Sequence, residues 1–182
     1  MAKLEDKTDL PSGVTATIAD GVVTVKGPKG ESSKNMKDPQ IKIKADGNVV
    51  TISAQKDTKR QKRIINSLSA HLKNMIQGVQ EPYKYRLKVC SGHFPMNISI
   101  QGETFIVKNF LGEKSPRTLK LKKGASVKIE GDQVIVESPD KELAGRQASD
   151  IELLTAKSNR DLRVFQDGIY MTEKAGKKIT ET

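Results

Sequence analysis

An offset of 86 residues lays this chain over itself, and that internal repeat restricts the folds open to it. Ile43, Asp46, Val50, Arg60, Gln61, Ile65 and Leu68 recur as Ile129, Asp132, Val136, Arg146, Gln147, Ile151 and Leu154. Upstream the match resumes at an offset of 82, with Val25, Lys26 and Gly30 against Val107, Lys108 and Gly112. One supersecondary unit therefore occurs twice, the second copy carrying a loop four residues longer. Two copies fall short of the roughly three or more that a stacked solenoid needs. The expectation is an α+β chain of two tandem duplicated domains, each an antiparallel sheet packed against a helix, followed by a C-terminal extension.

Periodicity fills in the unit. Residues 1–10 read as a short polar arm. Val14, Ala16 and Ile18 alternate with polar neighbours, Asp20-Gly21 makes a turn that wants positive φ, and Val23 and Val25 alternate again. Ile41 and Ile43, the Asp46-Gly47 turn, then Val50 and Ile52 give a second hairpin. From Asp57 the period becomes helical, with Ile65, Leu68, Leu72, Met75, Ile76 and Val79 on one face and Gly78 and Pro82 closing it. In the second copy the strands fall at 85–91, 97–101, 103–108, 119–122, 127–130 and 134–137. Ser138-Pro139-Asp140 opens its helix with a capping residue, a proline for the first turn and an acid for the dipole. The expected domains are 1–81, 82–156 and an extension, 157–182, that has no counterpart in the first copy. The last eleven residues are expected to be disordered in isolation. Ile65 and Ile151, and Leu68 and Leu154, are expected to be buried at equivalent places.

Thirty-two Lys and Arg against 22 Asp and Glu leave a formal charge of +10, which points to a polyanionic partner. No apolar run approaches the ~20 residues of a spanning helix, so nucleic acid is preferred to a membrane. Aromatics are 4% of the chain with no Trp, which argues against a stacking platform for single-stranded bases and toward recognition of the backbone or shape of folded nucleic acid. Cations concentrate in 108–128, with seven basic residues and one acid, and in the extension, with six basic residues. Cys90 cannot form an internal disulfide, fits a reducing cytosol, and reads as a small core residue in a strand. Cys90, His93 and His71 are too few for a zinc site, and His71 lies beside the buried helix face. The basic, glycine-rich stretch Lys26–Gly30 lacks the nucleotide-cradling pattern and reads as a tight connection. The carboxylates do not converge into an acid–base pair. The chain is expected to be no enzyme and to need no cofactor or metal.

Particular motifs are more specific than composition. The stretch Val23–Glu31, the run His93-Phe94-Pro95-Met96-Asn97, Asn109–Lys114, and Arg160–Tyr170 resemble, in order, motifs of the large-subunit ribosomal protein six family in its archaeal and eukaryotic branch. The resemblance spans about residues 10–174. It implies a structural constituent of the large ribosomal subunit, cytoplasmic and in the ribosome, bound to large-subunit ribosomal RNA near the sarcin–ricin loop. Neighbouring ribosomal proteins near the stalk base and translational GTPases are the other implied partners. Matched positions and the charge map together nominate Arg160, Arg163, Lys174, Lys177 and Lys178 in the extension as phosphate contacts. Lys114, Arg117, Lys120, Lys122 and Lys123 are nominated in the basic loop and strand. His93 either touches RNA or caps its loop. Phe165 and Tyr170 are expected to anchor the extension, with base stacking by either left open, and Gly168 to make a turn. The alternative is a basic RNA-binding or assembly factor acting outside the mature ribosome.

Overall fold

A computed structural model describes residues 4–54, 56, 58–92, 94–158, 160–161 and 163–179. The chain divides into two compact units between Pro82 and Tyr83.

In the first unit, β1 (Glu5–Asp9), β6 (Val49–Ala54) and β5 (Ile41–Asp46) form one antiparallel sheet in the order β1-β6-β5. A second sheet contains β2 (Thr15–Ala19), β3 (Val22–Gly27) and β4 (Gly30–Asn35), with β3 central. The helix α1 (Lys59–Gln80) packs its face of Ile65, Leu72, Met75, Ile76 and Val79 against Val23, Val25, Val50 and Ile52. Each such fully buried aliphatic side chain contributes about 1.5–3 kcal/mol. Thr58 caps the helix by accepting from the Gln61 N–H at 3.3 Å. The helix runs through Gly78, which is buried inside its last turn, and stops before Pro82. Gly27 explains the glycine in the basic connection: a Cβ there would come within 2.8 Å of the Val79 side chain. The glycine lets hairpin and helix close together, and the Lys29 N–H donates to the Val79 carbonyl.

The expected polar arm proves to be β1. Its residues are charged or Thr, but Thr8 turns inward and the strand pairs with β6 from Glu5↔Ser53 to Asp9↔Val49. An edge strand can be that polar because charge on an edge discourages further pairing.

The second unit repeats the plan. Strands β7 (Tyr83–Cys90), β12 (Gln133–Ser138) and β11 (Ser126–Glu130) match β1, β6 and β5, while β8 (Asn97–Gln101), β9 (Thr104–Lys108) and β10 (Arg117–Lys120) match β2, β3 and β4. The helix α2 (Lys141–Leu154) buries Ala144, Gln147, Ala148 and Ile151. Asp140 is its cap, accepting from the Glu142 N–H at 2.9 Å; Ser138 instead accepts from the Asp140 N–H and is buried. Ile65 and Ile151 are both buried; Leu68 and Leu154 are only half-buried, packed against the two cores. The last hairpins correspond at an offset of 84, not 86, because Asp46↔Val49 and Glu130↔Gln133 are the pairs that close their turns. A slip of two residues preserves which side chains face inward, so the core pattern survives it.

The extension belongs to the second unit. Strand β13 (Gly168–Lys174) pairs with the free edge of β7, and β14 (Lys177–Lys178) folds back on it, giving a five-stranded sheet in the order β11-β12-β7-β13-β14. Ile169 is buried in the core, and its N–H donates to the buried Thr155 hydroxyl at 2.9 Å. Asp167, also buried, accepts from the Gly92 N–H. The expected disorder from residue 172 onward therefore gives way to strand up to Lys178. Gly168 is the first residue of β13, not a turn. Among the described residues no helix is long and apolar enough to cross a membrane.

Candidate nucleic-acid interface

The connection from β9 to β10 is built to hold one shape. Asn109 (φ 60°), Leu111 (φ 49°) and Gly112 (φ 77°) are all left-handed, a conformation that is strained for leucine. Phe110 between them is buried and fixes the loop to the core. Asn109 ties it to the preceding segment, its side-chain N–H donating to the Pro95 carbonyl at 3.1 Å. The partly exposed Phe94 ring lies beside Gly112.

Arg117 completes this structure rather than a binding surface. Its guanidinium makes two bonds to Glu113, at 2.6 and 2.9 Å, and donates to the Leu154 and Ala156 carbonyls at the end of α2, at 2.8 and 3.3 Å. It also lies 4.3 Å from the Phe110 ring centre. Positive charge there complements the helix C-terminus, and the Glu113 carboxyl, hydrogen-bonded by Arg117, is held below its ordinary range. Four of the guanidinium's five N–H donors are thus used inside the chain.

The segment after α2 comes to the same corner. Arg160 stacks 4.9 Å from the Phe165 ring centre and acts electrostatically on Glu113. Arg163 is almost fully exposed and paired with Asp161 at 2.9 Å, which lowers the Asp161 carboxyl pKa and raises that of the guanidinium. Lys157 stitches the segment down, donating to the Phe165 carbonyl at 2.6 Å and to the Tyr170 hydroxyl at 3.2 Å. Phe165 is half-buried, Val164 is exposed, and Ile169 is the residue that anchors the extension. Lys114 is exposed on the rigid loop.

The other nominated residues disperse. Lys120 and Lys123 are exposed, but the Lys122 ammonium is bonded to Asp150 and its backbone N–H donates to the buried Gln147 side chain. Lys174 pairs in register with Lys177, and Glu173 with Lys178. Opposite residues of an antiparallel pair share a face. Lys174 lines a hollow beside Lys141 and Arg146 of α2, whereas Lys178 lines a groove beside Arg86. The run of cations near the C-terminus thus serves two opposite faces. His93 lies outside the described residues. Cys90 is half-buried at the end of β7 and borders the same groove as Lys178, so it is not a core residue. His71 meets the Lys34 ammonium at 3.0 Å, and no cluster of three metal-binding side chains occurs among the described residues.

What sequence reading missed is the outward row of β7. Lys84, Arg86 and Lys88 alternate with Tyr83, Tyr85 and Leu87, which are buried. The period-2 placement of three cations was the available signal.

Fold and repeat define a chain made of two copies of one α+β unit. The profile described as Ribosomal protein L6 matches residues 10–82 and again 94–168, one match in each copy. The chain is 42% identical to the large ribosomal subunit protein uL6 of Nanoarchaeum equitans, covering 94% of both chains. It is 38% identical to the protein of the same name from Methanococcus vannielii over 98% of both chains. With the Methanosarcina mazei protein it shares 38% identity over 92% of this chain and 95% of that one. The chain belongs to the Ribosomal protein L6 family.

Proposed function

We propose that this chain is a structural constituent of the large ribosomal subunit, working in the cytoplasm as part of the ribosome. It grips large-subunit ribosomal RNA with the corner where the 109–117 loop meets the 156–167 segment. The observation that carries the reading is the rigidity of that corner. Phe110, Arg117 and Lys157 immobilise it from beneath, while Lys114, Arg160 and Arg163 remain exposed above. A loop already held in one shape loses little backbone freedom when its cations meet a phosphate, and a planar guanidinium can give one phosphate two hydrogen bonds. The family resemblance extends this to a position near the sarcin–ricin loop, beside stalk-base proteins and within reach of translational GTPases.

Arg160→Ala combined with Arg163→Ala tests the reading. Three phosphates neutralised by Lys114, Arg160 and Arg163 give a log–log salt slope of roughly −2.1 to −2.7, and the double variant is expected to flatten it by about 1.4–1.8. Thermal unfolding is expected to stay within a few degrees of the parent, because both side chains are exposed. Binding of ribosomal RNA at full strength by the double variant would move the main contact elsewhere. Chemical footprinting of the large subunit with and without the chain tests the position.

A further inference from the structure

The five-stranded sheet covers its inner face with α2 and the smaller sheet, but no described part of the second unit covers its outer face. One continuous row crosses all five strands there: Lys128, Ile135, Arg86, Glu173 and Lys178 are successive register partners. At about 4.8 Å per strand the row spans roughly 19 Å, longer than a mononucleotide requires. In the next row Lys88 is paired with Tyr170. A groove of about 700 Å³ runs between these rows, bordered by Arg86, Lys88, Tyr170, Lys178 and Ile179.

Tyr170 is placed as a platform. Its ring lies against Gly168, where a Cβ would come within 3.3 Å of it, so the sheet backs one side. Lys157 donates to the hydroxyl at 3.2 Å with its ammonium 5.8 Å from the ring centre, and 39% of the residue remains open. A tyrosine serving only the core would turn inward, as Tyr83 and Tyr85 do. The charge around it is selective. Glu137 and Glu173 are neutralised by Lys84 and Arg86, at 3.2 and 3.1 Å. Among the described residues of the strands, Lys88, Lys128 and Lys178 remain on this face, against Glu130.

We infer that this open face binds an unpaired RNA segment, with a base stacked on Tyr170 and flanking phosphates held by Lys88 and Lys178. An exposed aromatic between cations on a flat sheet suits a base and its backbone, and stacking tolerates any base identity. A duplex would offer no face to the ring. The site rests on the ribosomal reading for its ligand class; it shares Lys157 with the corner but none of the exposed cations Lys114, Arg160 and Arg163, so the two can fail separately.

The test uses the full chain and a six-nucleotide single-stranded RNA containing 2-aminopurine, whose fluorescence falls when it stacks. Tyr170→Leu is expected to weaken binding about tenfold and abolish the fluorescence change. Tyr170→Phe, which keeps the ring but loses the Lys157 bond, is expected to bind like the parent. Lys88→Gln with Lys178→Gln is expected to flatten the salt slope by about 1.4. Unchanged binding by Tyr170→Leu would overturn the inference, as would equal loss in Tyr170→Phe or displacement of the RNA by polyglutamate of equal charge. The Arg160/Arg163 double variant is expected to bind this oligonucleotide normally. If that variant alone keeps full ribosomal RNA affinity, the corner assignment fails and the sheet face stands.

Discussion

Ile169→Ala tests whether the extension is a part of the second unit or a strap laid over it. Ile169 is 1% exposed and sits in the core cluster with Leu87, Val134 and Ile151. Truncating such a residue costs about 2–5 kcal/mol through lost burial and the cavity left behind. A cost of about 3 kcal/mol lowers the midpoint of a unit of this size by roughly 12–24 °C. The chain contains its own reporters. It has no Trp, and its three tyrosines, Tyr83, Tyr85 and Tyr170, all lie in the second unit. Tyrosine fluorescence therefore follows that unit alone, while the 22-residue α1 dominates the helical signal of the first. The expected result is a large downward shift of the tyrosine transition with the first unit's melting unchanged. Cleaving the chain after Ala156 is expected to remove the tyrosine transition altogether, since β7 then loses its pairing with β13. A shift worth less than about 1 kcal/mol would refute the reasoning and make the extension a strap laid over the second unit.

Arg117→Ala is expected to destabilise the second unit by about 1–3 kcal/mol, through the lost bonds to Glu113 and the helix carbonyls, and to leave the RNA salt slope unaltered. The pH dependence gives a separate check. Glu113 is lowered in the folded state by its bond from Arg117. Its stabilisation is therefore present above the unfolded carboxyl value of about 4.3 and is lost as pH falls through the folded one. Acid titration of stability should show that component in the parent and not in Arg117→Ala. Lys122→Ala removes a partly exposed pair with Asp150 and is expected to cost at most about 1 kcal/mol with no change of slope, whereas Lys120→Ala should flatten the slope by about 0.7–0.9 if it meets a phosphate.

The repeat made the fold legible because it is written in core positions. Val25 and Val107, Gln61 and Gln147, and Ile65 and Ile151 are buried in both copies, and burial constrains side chains more tightly than surface does. The two-residue slip between the hairpins was invisible because it keeps every side chain on its own face. Charge was less legible. A run of cations in sequence says nothing about which face each occupies, and Lys174 and Lys178 diverge for that reason. Nor does it show which cations are spent internally, as Arg117 and Lys122 are. The corner residues were nominated from motifs; the row on the sheet face needed the strand register.

The two copies of the first strand show why β13 is where it is. In the first unit β1 is an edge, with Glu5, Asp6, Lys7 and Asp9 along it and Thr8 as its buried residue. In the second unit β7 places Tyr83, Tyr85 and Leu87 in the core and is bordered by β12 on one side and β13 on the other. A strand carrying three large inward side chains, left as an edge, would present an apolar margin and an unpaired ladder to other chains. The extension closes that margin with its own strand. Strand β14 beyond it carries Lys177 and Lys178, whose charge discourages further pairing as the acids of β1 do in the first unit. The same strand addition carries Tyr170 onto the outer face beside Lys88. One structural requirement, protecting an edge, thus places the aromatic platform that distinguishes the second copy from the first.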